Sequence, residues 1–184
     1  GREVPSGKLP IDVGAVVHNV ATAFAVYEAV QKNKPLIDRI VTVTGESVKR
    51  PLNIVARIGT PVSELIQLAE ADLDKTFKVI SGGPMMGKAL MNLDAPVTKG
   101  TSGILLMGEN SSKRNAAGPC IRCAKCIEVC PMGLEPYLLM TITERQNWEQ
   151  VEERNVMDCI ECGSVMYTCP ANRPLLDSRR LGKS

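Results

Sequence analysis

The sequence predicts an α+β fold, in which a small unit of β-grasp type is followed by a helical part that carries all the cysteines. Three observations predict this arrangement. In the first half of the chain, alternating β-branched stretches lie before and after an amphipathic helical pattern. A polar stretch rich in small residues follows at 108–118 and is predicted to be a linker. The seven cysteines lie beyond it, in two clusters separated by helix-forming sequence.

Composition excludes several classes of protein. The 184 residues carry a formal net charge of +2, which gives no reason to expect nucleic acid as a partner. No apolar run is long enough to span a bilayer, and no signal peptide is visible. An odd number of closely spaced cysteines is a poor disulfide framework and favours a metal site in a reducing compartment. Because the chain starts at Gly1 and ends in a basic stretch, we expect it to be a fragment of a longer protein.

The first predicted element is a helix with Asn19 as its N-cap. Its apolar face is spaced as a helix requires, at Val20, Ala23, Phe24, Tyr27 and Val30. His18 precedes this helix, and we interpret it as a capping or packing residue in preference to a catalytic one.

The next stretch predicts a hairpin and a second helix. The segments "DRIVTVTG" and "LNIVARIG" are the two strands of the hairpin. In "TPVSELIQLAEA", Thr60 is the expected N-cap and Pro61 the expected first helical residue. The buried face of this helix is predicted at Val62, Leu65, Ile66 and Ala69.

Two further strands complete the predicted unit, in "FKVISGGPMMG" and "GTSGILLMG". The loop "SGGPMMG" has the glycine content of a phosphate-binding loop. It lacks the Gly-Lys-Ser/Thr ending of a P-loop and the G-x-G-x-x-G pattern. We therefore interpret it as a tight turn with packed methionines.

The cysteines carry the strongest signal. The first run, "CIRCAKCIEVCP", has the spacing C-x-x-C-x-x-C-x-x-x-C-P. This spacing is typical of [4Fe–4S] ferredoxins, in which three thiolates hold one cluster and the fourth ligates the other cluster. A zinc site needs only four thiolates, usually as two separated C-x-x-C pairs. The second run, "CIECGSVMYTCP", repeats the pattern with Val165 in the place of its third cysteine.

Crossed ligation then divides the cysteines between two clusters. Cluster one would use Cys120, Cys123, Cys126 and Cys169, which is a complete set. Cluster two would use Cys130, Cys159 and Cys162, and its fourth ligand is missing at Val165. We expect this second cluster to be labile, to be a [3Fe–4S] form, or to be absent.

The cysteine runs are joined and followed by predicted helices. Pro136 can begin one helix and Asn147 can cap another. The tail after the second run carries Arg173, Arg179, Arg180 and Lys183, and we interpret it as the solvated end of a basic helix. The insert between the runs is rich in helix formers, so a helical ferredoxin is expected.

Taken together, the motifs resemble the RnfC family, whose members are subunits of the Rnf ion-translocating electron transport complex. The resemblance is carried by both cysteine runs and by the segments "PSGKLPIDVGAVVHNVATAFAVYEAV", "VTVTGESVKRPLNIVARIGTPVSELI", "ISGGPMMGKAL" and "GTSGILL". It implies four parts. Residues 1–35 resemble the end of a flavin- and NADH-binding domain, 36–107 resemble an SLBB (soluble ligand-binding β-grasp) domain, 108–118 form a linker, and 119–184 resemble a helical two-cluster ferredoxin domain.

The resemblance also implies a function. The chain would be the iron–sulfur electron-transfer part of a membrane-associated NADH:ferredoxin oxidoreductase coupled to Na⁺ or H⁺ movement. FMN and NADH would bind only upstream of this chain, so we do not expect it to be catalytic alone. Its partners would be the other subunits of the complex and a soluble ferredoxin, at the cytoplasmic face of the bacterial inner membrane. Two alternatives stay open, namely a related cobalamin reductase and a zinc-stabilised interaction module.

Overall fold

The computed structural model describes residues 1–5 and 7–183, and these divide into two compact units. The first, called the sheet unit, is His18–Lys113. The second, called the cysteine unit, combines the residues before His18 with those from Arg114 onward. The strands lie in one unit and the cysteines in the other, which confirms the α+β fold predicted from the sequence.

The sheet unit is built on a mixed five-stranded sheet with the strand order β2-β1-β5-β3-β4. The strands are β1 (Asp38–Gly45), β2 (Leu52–Arg57), β3 (Lys78–Ser81), β4 (Lys88–Ala89) and β5 (Gly103–Met107). β1 and β2 pair as the predicted antiparallel hairpin, and β1 pairs with β5 in parallel. Alternation along β1 places Val41 and Val43 in the core, as expected for a strand with one buried face.

One helix, α2 (Val62–Leu68), packs on this sheet through the predicted face of Val62, Leu65, Ile66 and Ala69. The expected N-cap at Thr60 is wrong, because Pro61 occupies the cap position and no side chain caps the helix. Instead, the amides of Val62 and Ser63 donate to the carbonyls of Ala95 and Leu93. A neighbouring backbone segment therefore satisfies the free N–H groups that a cap residue would otherwise take.

Besides α2, the α-helices of the sheet unit are α1 (Val20–Lys32) and the helical turn α3 (Glu109–Ser112). Asn19 caps α1 as predicted, accepting a hydrogen bond from the amide of Ala21. The apolar face of α1 is not buried in this structure, since Phe24 and Val30 are 55% and 73% exposed. His18 is also exposed. α3 lies within the stretch expected to be a linker.

The loop between β3 and β4 is a tight turn, as predicted. Gly82 has a φ of 104°, and the amide of Gly87 donates to the carbonyl of Gly83. The expectation that its methionines pack is wrong, because Met85 and Met86 are both exposed.

The cysteine unit is helical. Its helices are α4 (Lys125–Glu128), α5 (Pro136–Glu144), α6 (Trp148–Glu153), α7 (Ser164–Thr168) and α8 (Leu175–Lys183). The two predicted helix starts are confirmed: α5 begins at Pro136, and the side chain of Asn147 caps α6 by accepting from the amide of Gln150. Short 3-10 turns occur at Pro10–Val13 and Val156–Asp158, and a third, Leu73–Lys75, lies in the sheet unit. α4 contacts α7, and α5 contacts α8.

Candidate metal centres

The two cysteine runs fold in the same way. In each run the residue after the second cysteine has a left-handed backbone, with φ of 61° at Ala124 and 81° at Gly163. A short helix follows in both cases, α4 after Ala124 and α7 after Gly163. Left-handed residues turn the chain sharply, so consecutive cysteines can be presented to one centre. The second run keeps this shape although it lacks the third thiol.

The repeat extends beyond the fourth cysteine of each run. The carbonyl of Cys130 accepts from the amide of Gly133 at 3.1 Å, and the carbonyl of Cys169 accepts from the amide of Asn172 at 3.2 Å. Gly133 and Asn172 both have positive φ. The proline after each cysteine lacks an N–H group, so the chain leaves the helix and turns. A longer helix then follows each turn, α5 in the first copy and α8 in the second.

The four cysteines assigned to cluster one all line a single cavity of about 540 Å³. They are Cys120, Cys123, Cys126 and Cys169. Apolar parts of Tyr137, Met140 and Leu175 form much of the remaining wall. Three of the four thiols that line the cavity thus come from the first run and one from the end of the second, and their ligation of one cluster stays a prediction.

A further feature of this cavity is a hydrogen-bond donor without an acceptor. Arg173 lines the cavity, and its Nε is buried with no partner in the described part of the chain. Its Nη2 donates to Oε1 of Glu144 at 3.1 Å. A buried unpaired N–H group costs free energy, and a cluster sulfur would be an acceptor for it. The donor set and this nitrogen both fit an iron–sulfur cluster.

Across residues 1–5 and 7–183, no group of three or more His, Cys, Asp and Glu side chains is placed to hold a single metal ion. The protonation of one cavity thiol bears on metal binding. Burial raises the pKa of the Cys126 thiol, and the neighbouring Cys169 and Cys120 act in the same direction. Metal binding at Cys126 therefore has to remove a proton that this thiol retains.

The second set of cysteines comprises Cys130, Cys159 and Cys162. Cys159 is buried, and Cys130 packs against the same apolar cluster. Sγ of Cys162 lies 3.4 Å from Oγ of Ser164. The pKa of Cys162 is lowered, chiefly by hydrogen bonding to Ser164, and the charge of Arg179 acts in the same direction.

Val165 is fully enclosed. It is 2% exposed and packs with Met140 and Leu175, against the partly buried Cys126, Cys130 and Cys169. Its isopropyl group therefore fills space between the two sets of cysteines, although it offers no electron pair to iron. The second run therefore has no thiol at its third position.

Arg179 does not lie where the sequence pattern predicts it. The expected solvated helix end is wrong for this residue, because Arg179 is 2% exposed and its Nη1 lies 3.2 Å from Sγ of Cys159. The neighbouring Arg180 is more exposed and pairs with Glu161.

Comparison with known proteins agrees with this description. Residues 40–89 match the SLBB domain, and residues 112–170 match the 4Fe-4S dicluster domain. The whole chain is 46% identical to the C-subunit of the proton-translocating ferredoxin:NAD(+) oxidoreductase complex of Clostridium ljungdahlii, of which it covers 40%. It is also 46% identical to the C-subunit of the Na(+)-translocating ferredoxin:NAD(+) oxidoreductase complex of Acetobacterium woodii, of which it covers 41%.

A third relative is the C-subunit of the ion-translocating oxidoreductase complex of Rhodobacter capsulatus, which is 43% identical over the whole chain. The chain covers 35% of that protein, so it spans about two fifths or less of the length of these relatives. In the described ranges, no helix is long and apolar enough to cross a membrane. These matches confirm the resemblance inferred from the motifs.

Proposed function

We propose that this chain is the iron–sulfur electron-transfer part of an Rnf-type complex, because over its whole length it is 43–46% identical to the C-subunits of ion-translocating oxidoreductase complexes. Such a complex transfers electrons between NADH and ferredoxin and couples this transfer to Na⁺ or H⁺ translocation. The observation that carries the proposal is the cavity lined by Cys120, Cys123, Cys126 and Cys169. The match of residues 112–170 to a 4Fe-4S dicluster domain supports it.

At the first centre, the four thiolates would hold a [4Fe–4S] cluster, which when bound supplies a carrier for single electrons. The chain itself provides position and environment. Tyr137, Met140 and Leu175 give the cavity an apolar wall. Arg173 offers the buried Nε–H to a sulfur acceptor. Hydrogen bonds to sulfur and burial are two of the factors that set a cluster's potential.

At the second centre, Cys130, Cys159 and Cys162 would hold a cluster with three thiolates. We propose a labile three-thiolate cubane or a [3Fe–4S] form at this place, since each thiolate binds one iron. The second run retains the backbone shape of the first. This supports a cluster bound there over a run that has lost its ligand function. Cys169 of that run is needed in any case by the first centre.

We further propose the setting of this part. Residues 36–107 act as the SLBB domain and 119–184 as the ferredoxin domain, joined by the linker at 108–118. Residues 1–35 belong with a flavin- and NADH-binding domain, so FMN and NADH bind outside these residues. The partners are other subunits of the complex and a soluble ferredoxin, at the cytoplasmic face of the inner membrane.

Iron and acid-labile sulfide, counted on anaerobically reconstituted protein, test the proposal. We expect at least about four iron atoms and a matching amount of sulfide per chain, with an EPR signal after reduction. A Cys123→Ser variant is the control and should lose the first centre. Folded protein that binds stoichiometric zinc without sulfide, or no metal, would contradict the proposal and favour the interaction-module alternative.

A further inference from the structure

Arg179 is a buried cation beside Cys159, one of the three cysteines proposed for the second centre. It is 2% exposed, and Nη1 lies at hydrogen-bond distance, 3.2 Å, from Sγ of Cys159. Its other two nitrogens, Nε and Nη2, are buried and have no hydrogen-bond partner among the described residues. A guanidinium is charged at every physiological pH and presents five donors, so unfilled donors in a buried place are costly.

Arg179 lies on the buried side of α8. Leu175, one turn before it on the same helix, packs with Val165, against the partly buried Cys126, Cys130 and Cys169. Arg179 itself reaches Cys159. The guanidinium thus lies on the side of α8 that packs toward the cysteine runs.

The neighbouring charges do not use these donors. The carboxylate of Glu161 takes Arg180 at 2.8 Å and Lys183 at 3.5 Å. The ammonium of Lys183 also donates to the carbonyl of Cys159. Acceptors of matching number and charge would be the sulfur atoms of an iron–sulfur group held by the nearby thiolates.

We propose that Arg179 is a positioning residue of the second centre and donates hydrogen bonds from its guanidinium to the sulfur atoms there. The inference rests on the proposed function, because it requires a cluster on Cys130, Cys159 and Cys162. These bonds help to retain a cluster that lacks a thiolate at Val165. The positive charge also stabilises the form that has gained an electron, so the potential is less negative than it would be without Arg179.

The test compares three variants of the whole chain, reconstituted anaerobically. Arg179→Met removes the donors and the charge, and Arg179→Lys keeps the charge without the planar fork. Arg154→Met is the matched control, because Arg154 is an exposed arginine of the same unit paired with Glu135. The readouts are iron and sulfide per chain and the midpoint potential of each EPR signal, with the first centre as internal reference.

We expect wild-type protein and Arg154→Met to hold more than about four iron atoms, that is, more than the first centre alone. Arg179→Met should either lose the excess iron or retain it with a more negative potential at the second centre only. Arg179→Lys should fall between Arg179→Met and wild type. If circular dichroism shows that Arg179→Met is unfolded, the iron counts and potentials of Arg179→Lys and the wild type are compared instead.

Three outcomes would overturn the inference or its premise, and they are distinguishable. If both Arg179 variants keep the excess iron and have the wild-type iron counts and midpoint potentials, the proposed role of Arg179 is wrong. About four iron atoms in the wild type means that the second centre does not form, which also overturns it while the first centre stands. Absence of iron and sulfide from folded wild-type protein instead rejects the proposed function itself.

Discussion

Arg122 and Glu161 have the same left-handed backbone conformation, each with a φ of 55°, just before the second cysteine of their runs. Both carry full side chains, and such a conformation costs about 1–2 kcal/mol for a residue other than glycine. Strain of this kind persists only where the surrounding structure fixes it, and it concentrates at functional sites. The second run therefore retains the backbone of a cluster site independently of its missing thiol.

Restoring that thiol is the first prediction. Val165→Cys should raise bound iron toward about eight atoms per chain, four for each cubane, because it completes the second donor set. Val165→Ala is the control, since it opens the same space without adding a ligand. The measurement is iron and acid-labile sulfide after anaerobic reconstitution. Equal iron in Val165→Cys and the wild type would refute the assignment of three thiolates plus Val165 to one centre.

Removing the fourth cysteine of the second run tests crossed ligation. Cys169→Ala should abolish the EPR signal of the first centre, because Cys169 lines the cavity of Cys120, Cys123 and Cys126. Cys162→Ala should spare that signal and reduce only the iron beyond the first centre. If the four ligands of each cluster instead came from one run, the EPR signal of the first centre would be intact in Cys169→Ala.

The assignment of the cysteines to two sets could be made from the sequence because it depends on local spacing, and it stays a prediction. Thiols at fixed intervals beside a proline restrict the ligation patterns to very few. The cap at Asn147 was predictable for a similar reason, since an N-cap bonds only to amides two or three residues away.

The features that local patterns do not predict depend on contacts between distant segments. Thr60 does not cap α2 because the carbonyls of Ala95 and Leu93 reach the first amides of the helix. Arg179 is buried because α8 packs on α5, and a run of basic residues does not show which of them faces inward. Propensity and composition describe the chain locally, and such tertiary contacts override them.

Arg173 should influence the first centre. Arg173→Met removes the buried Nε–H that lines the cavity and should move the midpoint potential of that centre to more negative values. Arg145→Met, at an arginine that does not line the cavity, is the matched control. Redox titration followed by EPR measures the shift. If both variants have the wild-type potential, Arg173 does not donate to the cluster.

Removing the metal should act on one unit only. The thiolates connect segments far apart in the cysteine unit, so loss of a cluster removes links that hold α4, α7 and the turns together. The sheet unit has its own core around Val43, Leu65 and Leu106. We expect treatment with an iron chelator to abolish protection from hydrogen exchange in the cysteine runs, with protection in β1 and β5 unchanged. Parallel loss in both units would contradict this.

The last prediction concerns the centre of the sheet, where two glycines of the β1–β5 pair offer a matched comparison. Gly45 lies opposite Leu106 with a φ of 143°, and a Cβ there would overlap the carbonyl of Leu106. Gly103 lies opposite Thr42, where a Cβ would meet the nearest backbone oxygen at 3.4 Å, an ordinary contact. Of these two positions, only Gly45 therefore needs to be glycine.

Gly45→Ala should lower the free energy of unfolding of the sheet unit by more than about 1 kcal/mol, because the added methyl group is incompatible with both the backbone angle and the neighbouring strand. Gly103→Ala should change it by no more than about 1 kcal/mol, since an ordinary contact is added and chain entropy is lost mainly from the unfolded state. Urea unfolding followed by circular dichroism gives both values. Similar destabilisation by the two substitutions would show that the close approach of Leu106 is not the reason why position 45 requires glycine.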